Sequence, residues 1–183
     1  MSRTLAAFLS TFCFIAAALA QGGPAPPTHP GTKLNFPPTL GGATFETSAN
    51  HGNAVSYRYL AGKIQITVQI FDGGRRVPPG SSNPAVIYEL SAEMAEAEQQ
   101  ARGSGLTGFE KPAVPATCSY GAVVFRCTVY SANMGNGRVY GKLLLTGYHD
   151  NFVKIVAEWN QADNSTVADA DKALSAFIPA LMH

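Results

Sequence analysis

The stretch AVSYRYLAGKIQITVQIF, residues 54–71, decides the fold class of this chain. Its second half has an apolar residue at every other position: Ile64, Ile66, Val68 and Ile70. Strict alternation gives an extended strand one covered face and one polar face. Another strand-like run precedes it across Ala61-Gly62, so the stretch predicts a β-hairpin with one buried face.

The segment after this hairpin is predicted to be a long amphipathic helix. Asn83 suits the N-cap, Pro84 suits the first helical position, and Gly103 ends the pattern. The apolar residues recur at steps of one, three and four: Val86, Ile87, Leu90, Met94, Ala97 and Ala101. The glutamates between them are predicted to form the solvated face of this helix.

The rest of the chain is predicted to consist of further strands and a closing helix. Strands are expected in residues 43–48, 106–111, 123–130, 138–148 and 152–159, with a loop over residues 112–121. Thr166 and Asp169 suit a capping box for the last helix, which Pro179 is expected to kink or end. The predicted fold is α+β, an antiparallel sheet of about six to seven strands flanked by two long amphipathic helices, in the order β-β-β-α-β-β-β-β-α.

The first twenty residues have the layout of a secretory signal peptide. Arg3 gives a positive start, residues 5–19 are apolar except for Ser10 and Thr11, and cleavage is expected after Ala20. The alternative is an uncleaved membrane anchor, but the apolar run is shorter than the roughly 20 residues that a spanning helix needs. We therefore expect a periplasmic or secreted protein.

Two further regions follow the predicted cleavage site. Residues 21–39 are rich in proline and glycine, which predicts an extended tether or a strap across the surface. A disordered start is the alternative for the same residues. Residues 40–183 are predicted to form a single α+β domain.

Cys118 and Cys127 are the only cysteines that remain after cleavage, because Cys13 lies in the signal peptide. A cysteine pair in an oxidising compartment usually forms a disulfide. Zinc sites have closer ligand spacing, and redox pairs usually have two residues between the cysteines. We therefore predict a structural disulfide that stabilises the fold by about 2–3 kcal/mol.

The charge balance argues against one class of partner. The chain has 13 lysines and arginines against 12 aspartates and glutamates, and no basic run. Nucleic acid is therefore not expected as a partner. No second apolar segment is long enough to span a bilayer, so no transmembrane segment is expected in the mature chain.

The sequence contains no catalytic signature, cofactor fingerprint or metal-ligand spacing, so no catalytic, cofactor-binding or metal residue is predicted. His149-Asp150 is the sharpest pair of titratable residues; acid–base chemistry is one interpretation, and an ordinary turn is the favoured one. Tyr140 and Tyr148 are candidate interface residues, because exposed aromatic residues are enriched at binding surfaces. Packing under the helices is the alternative for both tyrosines.

Three stretches resemble the PsbP-like fold: FPPTLGG (36–42), AVSYRYLAGKIQITVQIF (54–71) and GYHDNFVKIVAEW (147–159). Extrinsic photosystem subunits, a nuclear Ran-binding import regulator and small bacterial envelope proteins share this fold, an antiparallel sheet flanked by helices. The resemblance implies an accessory or partner-binding protein rather than an enzyme. It transfers no functional residue to this chain.

The preferred functional hypothesis is a non-catalytic accessory or binding protein of the periplasm or the secreted fraction. Its expected partner is another envelope or secreted protein, and a small-molecule ligand is also considered. One alternative is a secreted hydrolase whose site is assembled only by the fold. The other is a carrier for a small apolar ligand between sheet and helix.

Overall fold

The structure, a computed structural model, describes residues 28–74, 76–135 and 137–182. The predicted signal peptide and residues 21–27 lie outside the described residues. The elements in chain order are β1 (Thr39–Leu40), β2 (Ala43–Asn50), β3 (Ala54–Ala61), β4 (Ile64–Phe71), α1 (Pro84–Gly103), β5 (Thr107–Glu110), β6 (Ala116–Tyr120), β7 (Val123–Met134), β8 (Gly137–Tyr148), β9 (Asn151–Asn160), a 3₁₀ turn (Gln161–Asp163) and α2 (Val167–Leu181).

All strands of the described residues belong to one antiparallel sheet. The order is β1-β2-β3-β4-β9-β8-β7, and β5 and β6 both pair with β7 at the far edge. The chain therefore builds two meanders, β1 to β4 and β7 to β9. Their last strands, β4 and β9, pair with each other inside the sheet. This pairing joins the two halves of the chain that α1 separates.

The predicted α+β class, with an antiparallel sheet and two helices, is confirmed, but the predicted strand count is too low. The described residues contain nine strands, of which β1 and β6 are the unexpected ones. β6 lies in the segment predicted to be a loop. It pairs with β7 because Gly121, with φ of 61°, lets the chain fold straight back. Its side chains are mostly exposed, so no apolar alternation marks it as a strand.

The helix boundaries follow the predictions closely. Asn83 caps α1 by accepting a hydrogen bond from the Ala85 backbone N–H, and Pro84 occupies the first helical position. One residue of the predicted apolar stripe, Ile87, is 41% exposed. Thr166 and Asp169 form the predicted capping box of α2. The helix continues two residues beyond Pro179, so the proline lies within its last turn and does not end it.

The two helices pack on opposite faces of the sheet. α2 lies over β1, β4, β6 and β9 and closes a large apolar core. Its fully buried members include Tyr57, Tyr59, Ile66, Ile155, Leu174 and Phe177. α1 lies over β5, β7 and β8, with a smaller core that includes Val86, Leu90, Leu143, Leu145 and Phe152. We call these two sides of the sheet the α2 face and the α1 face.

The described part of the Pro/Gly-rich segment lies against the domain. Thr32, Leu34 and Phe36 are buried at alternate positions. The Phe36 ring stacks on Tyr57 at a centroid distance of 3.5 Å, and the Tyr59 hydroxyl donates to the Pro37 carbonyl. Residues 32–37 therefore complete the α2 face beside α2.

The structure brings Cys118 and Cys127 to disulfide distance, as predicted, with their Cα atoms 5.9 Å apart. The bridge joins β6 to β7. Among the described residues, no helix has the length and apolar character needed to cross a membrane.

Candidate functional site

A polar cleft of about 240 Å³ lies on the α1 face, beside the helix. Its wall is one stripe of α1, and its floor is the part of the sheet that α1 leaves open. The side chains that carry its chemistry are Arg58, Glu93, Tyr130, Lys154 and Glu158. We call this feature the polar cleft.

The alternation of the strands places polar side chains on the floor of the polar cleft. Thr67 and Gln69 are two of the three polar positions of β4 and line the cleft, and their neighbours Ile66 and Val68 are fully buried on the α2 face. Arg58 lies beside Thr67 in register. A strand with period two must send such residues to the same side. The same pattern that builds the apolar core therefore also builds the floor of the polar cleft.

Glu158 is held at the floor by two hydrogen bonds. The Tyr130 hydroxyl donates to one carboxylate oxygen at 3.2 Å, and the Gln65 side-chain amide donates to the other at 3.3 Å. Burial raises the pKa of Glu158, although the Tyr130 hydrogen bond and the charges of Arg58 and Lys154 act in the opposite direction. Burial also raises the pKa of Tyr130, and the neighbouring Glu158 adds to that rise.

Gly141 is the reason that Tyr130 reaches Glu158. Tyr130, Gly141 and Glu158 lie side by side in register on β7, β8 and β9. The tyrosine ring crosses the middle strand where the glycine has no side chain. A Cβ atom on Gly141 would lie 2.1 Å from the ring, so any larger residue would displace Tyr130.

Arg58 is a cationic residue of the polar cleft, and one of its hydrogen-bond donors has no partner among the described residues. Its Nε atom is shielded from solvent, and it has no hydrogen-bond acceptor among the residues that the structure describes. Its charge acts on the Glu158 carboxyl. A buried donor without a partner destabilises a protein, and the effect is larger for a charged group. Arg58 is therefore the side chain of the polar cleft with the clearest capacity for an additional anionic partner.

Lys154 and Glu93 link the floor of the polar cleft to its wall. The Lys154 ammonium lies 2.6 Å from a Glu93 carboxylate oxygen, and both side chains are about 15% exposed or less. Glu93 belongs to the helical face predicted to be solvated, so that prediction is wrong for this residue. The ion pair anchors α1 on β9 at the edge of the apolar core.

His51 and Ser56 form a polar pair at the rim of the polar cleft. The His51 Nε2 atom lies 3.3 Å from the Ser56 hydroxyl oxygen. The Ser56 hydroxyl also lies 3.5 Å from the Ala49 carbonyl oxygen, at the limit of hydrogen bonding. Both His51 and Ser56 line the cleft.

The residues singled out from the sequence lie elsewhere. His149 and Asp150 form the β8–β9 turn, with φ of 47° and 62°, and Asp150 forms an exposed ion pair with Arg76 at 2.8 Å. Two consecutive positive φ values are typical of a type I′ hairpin turn. Tyr140 and Tyr148 are half-buried and pack against the core of the α2 face, with Tyr140 stacked on Trp159. None of these predicted residues lines the polar cleft.

Sequence reasoning missed the side chains that meet in the polar cleft. The available signal was charged residues at alternate positions of otherwise apolar strands, such as Arg58 in AVSYRYLA and Lys154 in NFVKIVAEWN. Within the described ranges, no group of three or more histidine, cysteine or acidic residues is arranged to hold a metal ion. The predicted absence of a metal site stays a prediction.

No protein-family model matches the chain, and no curated protein matches it in sequence.

Proposed function

We propose that this chain is a periplasmic or secreted binding protein, without catalytic activity, whose polar cleft holds a small polar ligand. The observation that carries the proposal is the unmet Arg58 donor inside a cleft of about 240 Å³. The volume lies below the roughly 300–1,000 Å³ of pockets for drug-sized ligands, which favours a small molecule. The charged lining favours a polar ligand over the apolar ligand of a carrier protein.

The proposed compartment is supported by the signal-peptide layout of residues 1–20 and by the disulfide pair. The absence of catalytic activity is supported by the contacts of two ionisable side chains in the cleft, which are already bonded to other residues of the protein. Glu158 is held by Tyr130 and Gln65, and Lys154 by Glu93. An accessory role beside another envelope protein, implied by the PsbP-like resemblance, stays compatible with a ligand in the polar cleft.

Native mass spectrometry of the full chain, secreted by a bacterial host and recovered gently, tests the proposal. We expect the mass of a chain cleaved after Ala20, a loss of two hydrogens for the disulfide, and a bound small molecule that dissociates on collisional activation. A protein that arrives without a ligand and shows no thermal shift with a library of small polar metabolites would contradict binding in the polar cleft. A co-purifying protein at fixed stoichiometry would support the accessory role.

A secreted hydrolase is a second candidate, supported by the His51–Ser56 pair. A histidine within hydrogen-bond reach of a serine can take its proton while the hydroxyl oxygen attacks an ester carbonyl. Arg58, two residues from Ser56 on the same strand face, is the cation that would stabilise the resulting oxyanion in this candidate. A fluorophosphonate probe should then label wild-type protein and not Ser56→Ala. Absence of labelling in the wild-type protein would rule against this candidate.

A further inference from the structure

We propose that the ligand of the polar cleft is a small zwitterion, whose carboxylate binds Arg58 and whose ammonium group binds Glu158. A free amino acid and a short peptide both have this chemistry. The inference rests on the proposed binding function and adds the class of ligand.

The cationic end of the polar cleft suits a carboxylate. The Arg58 guanidinium offers planar, parallel N–H donors, which match the two oxygens of a carboxylate. Its Nε atom lacks an acceptor among the described residues, and because this atom is shielded from solvent, the guanidinium must turn towards the cleft before a ligand oxygen can accept from it. Thr67 lines the same end with a hydroxyl group, which can donate a further hydrogen bond.

The anionic end suits an ammonium group. Each oxygen of Glu158 accepts one hydrogen bond from the protein, which leaves lone pairs for a ligand donor. Tyr130 and Gln65 fix the orientation of the carboxylate before any ligand binds, so little ordering is needed on binding. Burial raises the pKa of Glu158, and a bound cation would favour its charged form.

The register sets the separation of Arg58 and Glu158 along the sheet. Arg58 on β3 and Glu158 on β9 are separated by β4, and the register places Val156, two residues before Glu158, across from Arg58. Strand spacing and rise then put their Cα atoms about 12 Å apart. Both residues line the polar cleft, so a ligand bound by both must fit between their charged groups.

A panel of four probes tests each charge of the ligand. L-alanine has both charges, L-alaninamide lacks the carboxylate, N-acetyl-L-alanine lacks the ammonium group, and L-alanyl-L-alanine separates the two charges further. Calorimetric titration and thermal shift would be measured on the secreted, disulfide-bonded chain. We expect binding of L-alanine or of the dipeptide, and at least about tenfold weaker binding of the two singly charged probes. The relative affinities of L-alanine and the dipeptide distinguish a free amino acid from a peptide.

The variant Arg58→Gln tests whether the ligand carboxylate binds Arg58. We expect this variant to bind the zwitterion about tenfold to a hundredfold more weakly and to lose the preference for L-alanine over L-alaninamide. Arg126→Gln is the matched control, because Arg126 is a half-buried arginine of β7 that does not line the polar cleft. It should keep both affinity and preference. If Arg58→Gln does not fold, Arg58→Lys keeps the charge and loses the fork geometry, so it should bind the zwitterion more weakly and show a reduced preference for L-alanine over L-alaninamide.

Two outcomes would overturn the inference and leave the proposed function standing. One is equal binding of L-alanine and L-alaninamide by the wild-type protein. The other is a polar ligand of another class, found by native mass spectrometry, whose affinity is unchanged in Arg58→Gln. A wild-type protein that binds no small molecule at all would overturn the proposed function together with the inference.

Discussion

Ile66 and Thr67 are neighbours on β4, and they belong to two different environments. Ile66 is fully buried on the α2 face, whereas Thr67 lines the polar cleft on the α1 face. The α2 face is covered by α2 and by residues 32–37, and the α1 face is only partly covered by its helix. The covered face therefore supplies the buried apolar area of the sheet, and the open face carries the polar cleft that we propose as the binding site.

The largest expected effect comes from substituting these two neighbours. Ile66→Ala should lower the free energy of unfolding by about 2–5 kcal/mol, because it leaves a cavity in the large core. Thr67→Ala should lower it by about 1 kcal/mol or less, since it removes a partly exposed side chain and some strand propensity. Urea unfolding of both variants measures the contrast. Similar losses for the two variants would remove the basis for the comparison.

Gly141→Ala tests whether the α1 face has tight packing of its own. The added methyl group must displace the Tyr130 ring, and overpacking of this kind typically destabilises a protein by about 1–3 kcal/mol. The backbone of Gly141 does not have a positive φ, so the effect is steric. A double-mutant cycle with Tyr130→Ala provides the control, because the added methyl group should be nearly neutral once the ring is gone. Additive losses would show that Tyr130 does not depend on Gly141.

A charge on the covered face should behave differently from the charges in the polar cleft. Lys142 is 8% exposed on the α2 face, and its ammonium lies 2.5 Å from Asp171, which also accepts a hydrogen bond from Tyr120. Asp171→Asn should lower the free energy of unfolding by about 1–2 kcal/mol, a reduced value because the Asp171 side chain is 43% exposed.

Lys142→Met is the matched control for this ion pair. This substitution removes the buried charge, so no unpaired ammonium is left behind. It should therefore lower the free energy of unfolding by less than Asp171→Asn does. Calorimetric melting of both variants decides the comparison. A larger loss of stability for Lys142→Met than for Asp171→Asn would mean that the Lys142 ammonium stabilises the fold without its ion pair to Asp171.

The covered face could be predicted from the sequence, and the polar cleft could not, for a physical reason. The alternation of apolar residues in β4 predicts a strand with one buried face, formed by Ile64, Ile66, Val68 and Ile70. Polar residues at the positions between them fit a solvated face equally well, and only the placement of α1 turns that face into a cleft. The contact between Tyr130 and Glu158 needs the register of three strands and a glycine between them, which no local pattern contains. β6 was missed for a related reason, because backbone pairing to β7 makes it a strand and its side chains carry no pattern.

The smallest expected effect is the pH dependence that Glu158 contributes. Burial raises its pKa above the ordinary 4.5, so the folded chain binds more protons than the unfolded chain between the two values. This contribution to stability is present below pH 4.5 and is lost as the pH rises through the raised value. Glu158→Gln keeps an acceptor for Tyr130 and removes the titration, so its stability relative to wild type should increase from about pH 4 to pH 7.

Asp169 in the capping box of α2 is the control of opposite sign. Its hydrogen bonds with Thr166 lower its pKa below the ordinary 3.8, so its contribution is present above that value and is lost as the pH falls through the lowered one. Asp169→Asn should therefore lose stability relative to wild type at pH 7 and approach it at low pH. Urea unfolding of both variants across this range should give difference curves of opposite slope. Parallel slopes would mean that the folded chain favours the charged form of Glu158, and a flat curve for Glu158→Gln would mean that Glu158 is ionised without penalty.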